Sequence, residues 1–283
     1  MGRDREAIAM TRNTNDRVWF VTGASSGLGL AFTRAALAAG DRVVATARRT
    51  ALLDPTAAEH PGRIVVLPLD VTDREAVAAT VDKAAAAFGR IDVVVNNAGL
   101  MTSGTVEEFT EEDARAQLET NFFGALWVTQ AVLPHLRARR SGHIIQISSV
   151  GGVIGFATTG LYSASKWALE GMTEALAQEV APFGIKVTIV EPGGYTTDLY
   201  TTMRVQPRHE AYEPLHTALA EMWGDAEDAD PADAAKAVLA LVESEQPPLR
   251  LVLGSAMYDV AQQSADRRKA DWAAWEATSR AAG

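Results

Sequence analysis

The stretch RVWFVTGASSGLG, residues 17–29, constrains the fold more than any other part of the chain. Its first half is an unbroken apolar run, not an alternation, which marks a strand covered on both faces. The run stops at a glycine, and LGLAFTRAALAAG (28–40) then takes up helical periodicity and ends in another glycine. A doubly covered strand feeding a helix through a glycine turn is the opening unit of a parallel α/β sheet.

The same alternation continues along the chain. Strand-like runs are DRVVATARR (41–49), RIVVLPLDV (63–71), RIDVVVNNAG (90–99), GHIIQISSVGG (142–152), IKVTIVEPGG (185–194) and RLVLG (250–254). Helical patterns fill 73–89, 111–139, 162–184 and 231–244, the third-strand and fourth-strand runs being separated by a helix that closes on Gly89. Residues 111–139 are expected to form one long helix with Asn121 in its interior, where asparagine is mildly unfavourable. This pattern predicts a doubly wound α/β fold. No repeat and no Pro/Gly/Ser linker interrupts it, so residues 17–283 are expected to form a single domain after a flexible tail at 1–16. The segment 195–230 is the least regular and reads as a substrate loop or lid. Residues 255–283 read as a helical extension.

Glycines 23, 27 and 29 lie between the first strand and its helix, where an α/β sheet binds a dinucleotide. Glycine allows the tight turn and the close approach of backbone to pyrophosphate, and the helix N-terminus adds free N–H groups. The spacing G-x-x-x-G-x-G is wider than the usual G-x-G-x-x-G. Such turns also serve simply as connections; the position after the first strand favours phosphate binding. Ser25 and Ser26 offer hydroxyls. The second strand ends Ala47-Arg48-Arg49 with no carboxylate for a ribose 2′-OH. Two guanidiniums suit a phosphate instead, so NADP(H) is favoured over NAD(H). Asp70, at the end of the third strand, is a candidate acceptor for the adenine amino group or else a helix cap.

Tyr162 and Lys166 are one helical turn apart and so share a face. An ammonium beside a phenol favours the phenolate, and Lys166 is expected to lower the Tyr162 pKa toward the range of general acid–base work. Ser149 ends the strand before that helix, in reach of a substrate oxygen.

Taken together, TGASSGLG (22–29), Asp70, NNAG (96–99), Asn121, Ser149, Tyr162-Ser-Ala-Ser-Lys166 and Pro192-Gly193 followed by Thr197 resemble the short-chain dehydrogenase/reductase family over about residues 17–200. The resemblance implies a single Rossmann-type doubly wound domain with a mostly seven-stranded parallel sheet. It implies a tetrad: Tyr162 exchanges the proton, Ser149 steadies the substrate oxygen, Lys166 lowers the tyrosine pKa and binds the nicotinamide ribose, and Asn121 holds a relay water. Ser149 is matched over Ser148 because it stands thirteen residues before the tyrosine. The resemblance assigns Gly23, Ser25, Gly27, Leu28 and Gly29 to the pyrophosphate, and Asp70 with Val71 beside it to the adenine. Asn97, Ala98 and Gly99 go to the adenosine ribose, and the Pro192–Thr197 turn, with Gly193, to the nicotinamide amide. SVGGVIG (149–155) and PFGIKVTIVEPG (182–193) are most similar to the branch holding 17β-hydroxysteroid and retinol dehydrogenases; Glu191 before Pro-Gly is familiar there.

The reaction implied is hydride transfer between a nicotinamide and a carbonyl or secondary alcohol. Candidate pocket residues are Met101, Val153, Phe156, Tyr195, Leu199, Tyr200, Met203 and Trp223, which fit an apolar small molecule. NADP(H) use points toward ketone reduction. The alternative is a dinucleotide-binding regulator or scaffold without turnover, which would be expected to lose the tyrosine or lysine; this chain keeps the whole tetrad.

Charge and composition narrow the partners. A net charge of −10 argues against nucleic acid. The absence of cysteine excludes disulfides and thiolate chemistry, and no metal site is expected. The first 16 residues lack the apolar core of a secretory signal, and no apolar run is long enough to span a bilayer. A cytoplasmic enzyme is expected, paired into a homodimer or homotetramer through 111–139 and 162–184, with Trp127 and Trp167 as candidate interface residues.

Overall fold

The computed structural model describes residues 16–224 and 228–283, the side chain of Trp223 excepted. The tail assigned to 1–16 therefore lies outside the described residues apart from Asp16, as does the pocket role assigned to Trp223.

Seven parallel strands form the sheet: β1 (Val18–Thr22), β2 (Arg42–Ala47), β3 (Ile64–Pro68), β4 (Val93–Asn96), β6 (Gly142–Ile147), β7 (Ile185–Pro192) and β9 (Arg250–Leu253). Their order is β3-β2-β1-β4-β6-β7-β9. Every expected strand enters this sheet, and the fold is the Rossmann-type doubly wound architecture anticipated above. Side-chain alternation explains why the runs are continuously apolar. Trp19 and Val21 of β1 point into one core, together with Val43 and Ala45 of β2, and Val93 and Val95 of β4. Helices α1 (Gly27–Ala38) and α9 (Pro231–Glu243) cover that face. Phe20, Val44 and Val94 point the other way, into the core under α3 (Arg74–Phe88), α5 (Gly124–Arg139) and α6 (Gly160–Val180). No polar face is left for solvent, so no strand alternates.

Local signals set the helix ends. The Asp73 side chain accepts from the N–H of Ala76 at 2.9 Å and starts α3, which stops at Gly89 with φ +74°. Asp230 caps α9 in the same way ahead of Pro231.

Two expectations need correction. Residues 111–139 are not one regular helix: α4 (Glu111–Leu118) and α5 are joined by a π-helical turn, Glu119–Phe123, with Asn121 at its centre. The wider turn shifts the register, so Asn121 points off the regular helical ladder and into the protein. The 195–230 segment is not an irregular loop. It holds α7 (Asp198–Thr201), the two-residue strand β8 (Arg204–Val205) and α8 (Glu213–Trp223). Strand β8 pairs in parallel with β5 (Thr102–Ser103) as a separate small sheet. A short helix α2 (Asp54–Glu59) lies in the β2–β3 connection. Residues 255–283 are helical, as α10 (Ser255–Ala274) and α11 (Glu276–Ala281), with no buried residue in either. No helix among the described residues is long and apolar enough to cross a membrane.

Candidate active site

The chain leaves β1 toward β2 and β3 on one side of the sheet and toward β4 and its successors on the other. That divergence opens a crevice at the carboxyl ends of β1 and β4, and the main cleft, of about 1190 Å³, lies there.

The glycine turn forms one wall. Gly23 and Gly27 have φ of +62° and +51°, a region that L side chains rarely occupy. Gly29 does something different. A Cβ there would lie 2.3 Å from the Gly23 carbonyl oxygen and 2.4 Å from Asn97 Nδ2. It does not line the cleft; it lets α1 seat against the turn. Asn97 donates from Nδ2 to the carbonyls of Thr22 (3.0 Å) and Gly23 (3.1 Å). The Thr22 hydroxyl in turn accepts from the N–H groups of Asn97 and Ala98, each at 3.0 Å. The end of β4 is thereby bolted to the glycine turn, and both bonds engage the Asn97 Nδ2 group. Its backbone, with Ala98 and Gly99, still lines the cleft. Ser25, Ser26 and Leu28 also face it, and Ser26, the residue before α1, makes no capping bond with its side chain.

These features fit a dinucleotide: a cradle that side chains would fill, and a helix N-terminus opening on it. Arg48 and Arg49 are exposed at the cleft edge and have no hydrogen-bond or ion-pair partner among the described residues. Asp70 and Val71 line the same cleft. Asp70 Oδ1 accepts from the N–H (3.1 Å) and hydroxyl (2.8 Å) of Thr72, so this carboxylate organises its own turn; Asp73 caps the helix.

Across the cleft, α6 presents Tyr162 and Lys166. Lys166 is 4% exposed. Its Nζ donates to the carbonyl of Ile147 at 2.8 Å and lies 5.6 Å from the centre of the Tyr162 ring. Ser149 directs its hydroxyl to Tyr162 and to the carbonyl of Pro192, the latter at 3.4 Å, and accepts from the N–H of Gly151 at 3.1 Å. Ser148 points the opposite way, donating to Glu170 Oε1 at 2.6 Å. The structure thus puts Ser149, not Ser148, beside the tyrosine.

The expected pKa relationship is reversed. Burial dominates and pushes the Tyr162 hydroxyl up to about 12, with Ser149 pulling it back and Tyr200 adding to the rise. Burial also brings Lys166 down to about 8, opposed by the nearby Glu170 carboxylate. Desolvation of the phenol outweighs the pull of the neighbouring ammonium, which is itself engaged with the Ile147 carbonyl.

Asn121 is 2% exposed and does not reach the cleft surface. Its Oδ1 accepts from the N–H of Leu100 (2.9 Å), and its Nδ2 donates to the Leu100 carbonyl (3.0 Å) and to Ser165 Oγ (3.0 Å). It staples the turn after NNAG to α6 from behind.

Pro192, Gly193 and Thr197 line the cleft, as do Met101, Phe156, Leu199, Tyr200 and Met203. Tyr195 does so from within the core, at 6% exposure. Val153 is a correction. It lies off the cleft, because the helical turn Val150–Gly152 carries it past the rim, and its carbonyl accepts from Arg268 of α10 at 3.0 Å. Among the cleft residues that escaped the sequence reading are Arg204, whose side chain meets Asp113 at 3.8 Å, and Asp228, whose Oδ1 crowds Gly194. Neither sits in a motif, and only the fold of 195–230 brings them in. That segment is latched to 101–108 by the β5–β8 pair and by Glu108. Glu108 accepts from the N–H groups of His209 (2.7 Å) and Thr105 (2.6 Å) and meets His216 Nε2 at 3.2 Å, which together hold its carboxyl near 2.

The sequence profile of short chain dehydrogenases matches residues 17–208, the span that carries the glycine turn, Ser149, Tyr162 and Lys166. The chain belongs to the short-chain dehydrogenase family. This short-chain dehydrogenase is 42% identical over 267 residues to oxidoreductase BOA17 of Botryotinia fuckeliana, covering 92% of this chain and 96% of that one. It is similar to the crystal structure of a short-chain dehydrogenase from Streptomyces avermitilis, with 43% identity and a TM-score of 0.89, over 94% of this chain and 98% of the other. An alcohol dehydrogenase from Thermococcus sibiricus, solved with 5-hydroxy-NADP, has 26% identity and a TM-score of 0.72, covering 84% and 95%. The family is one of oxidoreductases, and the activity class follows.

Proposed function

We propose that the protein is an NADP(H)-dependent ketone reductase acting on a mostly apolar small molecule, with Tyr162 as the general acid. The observation that carries this reading is the placement of the half-buried Tyr162, its hydroxyl kept neutral by desolvation, beside Ser149 and Lys166 in a glycine-lined cleft. A phenol held near 12 is a proton donor throughout the physiological range.

The reduced nicotinamide dinucleotide, when bound, supplies the hydride. The chain does the rest. Gly23 and Gly27 open the turn to a pyrophosphate, and the first N–H groups of α1 meet its charge. Arg48 and Arg49 place two guanidiniums at the end of β2, and the strand does not end in a carboxylate that would repel a 2′-phosphate; that supports NADP(H) over NAD(H), as does the 5-hydroxy-NADP held by the Thermococcus relative. Ser149 donates to the substrate oxygen and Tyr162 gives it a proton. Lys166 serves the nicotinamide ribose, and Asn121 keeps the Leu100 turn and α6 in register behind it. Met101, Phe156, Leu199 and Met203 supply an apolar wall, in keeping with the hydroxysteroid and retinol dehydrogenase-like branch. The cytoplasmic location and the pairing through 111–139 and 162–184 belong to the same reading; Trp167, 44% exposed on α6, supports the latter.

The test is a screen of NADPH oxidation across ketones, aldehydes, steroids and quinones, with ethyl benzoylformate among the ketones, for the wild type and Tyr162→Phe. Turnover lost in the variant is expected. Unaltered turnover in Tyr162→Phe removes this mechanism, and a scaffold role gains if the wild type binds NADPH but turns over nothing.

A further inference from the structure

Beside the cleft lies a largely buried group of carboxylates around one arginine that the mechanism above does not use. Glu170 is on α6 one turn beyond Lys166, on the same face, and is 4% exposed. Its Oε1 accepts from the Ser148 hydroxyl at 2.6 Å. Its Oε2 lies 3.5 Å from Arg250 Nη2, which also meets Glu174 at 2.7 Å, while Arg250 Nε meets the buried Glu191 at 3.2 Å. One guanidinium from the last strand thus joins α6 to β7 just before Pro192.

Burying carboxylates with a single arginine is costly and is not a route to stability in itself. The placement of Glu170 indicates what it accomplishes. The helical turn Val150–Gly152 rests directly on its carboxylate: a Cβ on Gly152 would lie 2.1 Å from Glu170 Oε1 and 2.4 Å from Ser148 Oγ. Ser149 begins that turn. Successive residues of an extended strand end point to opposite sides, so fixing the Ser148 hydroxyl on one side fixes the direction of Ser149 on the other.

We propose that Glu170, anchored by Arg250, is a positioning residue that grips Ser148 and so holds Ser149 against Tyr162. The proposal rests on the reading of Ser149 and Tyr162 as reacting groups. A dedicated acceptor is needed because the turn has only glycine at Gly151 and Gly152 and no side chain there to wedge it. The carboxylate supplies the missing support, and Arg250 holds it in place.

The experiment compares Ser148→Ala, Glu170→Ala and Glu170→Gln with the wild type, using NADPH and ethyl benzoylformate, with NADPH affinity and melting temperature measured alongside. A displacement of about 1 Å at a reacting group costs on the order of a hundredfold, so kcat is expected to fall about ten- to a hundredfold in Ser148→Ala and Glu170→Ala. NADPH affinity should stay within about twofold, the split expected when only the transition state is affected. Glu170→Gln keeps an acceptor oxygen and the volume, and should recover most of kcat. Wild-type kcat in Ser148→Ala overturns the proposal, as does a Glu170→Gln no better than Glu170→Ala. Tyr162→Phe separates the two levels: if it is inactive while Ser148→Ala is normal, only the positioning role falls; if it is fully active, the function itself is misread.

Discussion

Lys166 Nζ stands 5.6 Å from the centre of the Tyr162 ring and donates a hydrogen bond to the Ile147 carbonyl at 2.8 Å. The two residues are therefore neighbours that titrate apart: the phenol up to about 12, the ammonium down to about 8. Carbonyl reduction should fall as pH rises through about 8, where Lys166 loses its charge, while Tyr162 stays protonated. A pH profile of kcat/KM with NADPH checks this. A flat profile to well above that pH, at full rate, contradicts it.

Arg48 bears on cofactor choice. If its free guanidinium meets a 2′-phosphate, Arg48→Ala should weaken NADPH binding about ten- to a hundredfold, the equivalent of losing one charged hydrogen bond of roughly 1.5–3 kcal/mol. NADH binding should not change. Titration of both cofactors by fluorescence decides, and equal affinities in the wild type would remove the NADP(H) assignment.

Gly29→Ala should damage the site without touching the cleft surface. The added methyl would meet the Gly23 carbonyl at 2.3 Å and Asn97 Nδ2 at 2.4 Å. Overpacking of that kind costs about 1–3 kcal/mol. The glycine turn and the end of β4 should separate, with a lower melting temperature and a loss of dinucleotide affinity larger than the loss of stability alone predicts.

His143 sets an acid limit on stability. It is buried on β6, bonded through Nε2 to Thr188 Oγ1 at 3.0 Å, and burial with the nearby Lys186 takes it from 6.5 down to about 4. The unfolded chain binds the proton more readily, so stability is full above about 6.5 and declines as pH falls toward 4. The full loss is on the order of 3 kcal/mol. Denaturant unfolding at several pH values should show this slope in the wild type and a shallower one in His143→Gln.

Much of the site is legible in the chain because its residues act through local geometry. Glycines at a strand–helix turn, and a tyrosine and lysine at helical spacing, carry their arrangement in their separation along the sequence. Glu170 was within reach of the same argument, as the next residue on the face of Tyr162 and Lys166. Arg250 was not: it lies 80 residues further along and meets Glu170 only because β9 pairs with β7. The π turn around Asn121 was hidden too, since TNFFG continues an apolar helical pattern on either side and one extra residue in a turn leaves no mark in periodicity. Val153 was misassigned because one tight turn separates it from Val150, which does line the cleft.

By itself the sequence determined the strand–helix alternation, the doubly covered strands, the glycine turn and the placing of Tyr162 and Lys166 on one helix face, because each rests on backbone preference and period. Only the tertiary structure decided the strength of those groups. Tyr162 is a weak acid rather than a weakened one, and Lys166 a soft base, because burial removes water from both, and burial is a property of what packs around a residue. The same holds for the shape of the cleft. Leu199 and Met203 of its apolar wall come from 195–230, latched in place by Glu108 and the β5–β8 pair, and those contacts join residues about a hundred positions apart.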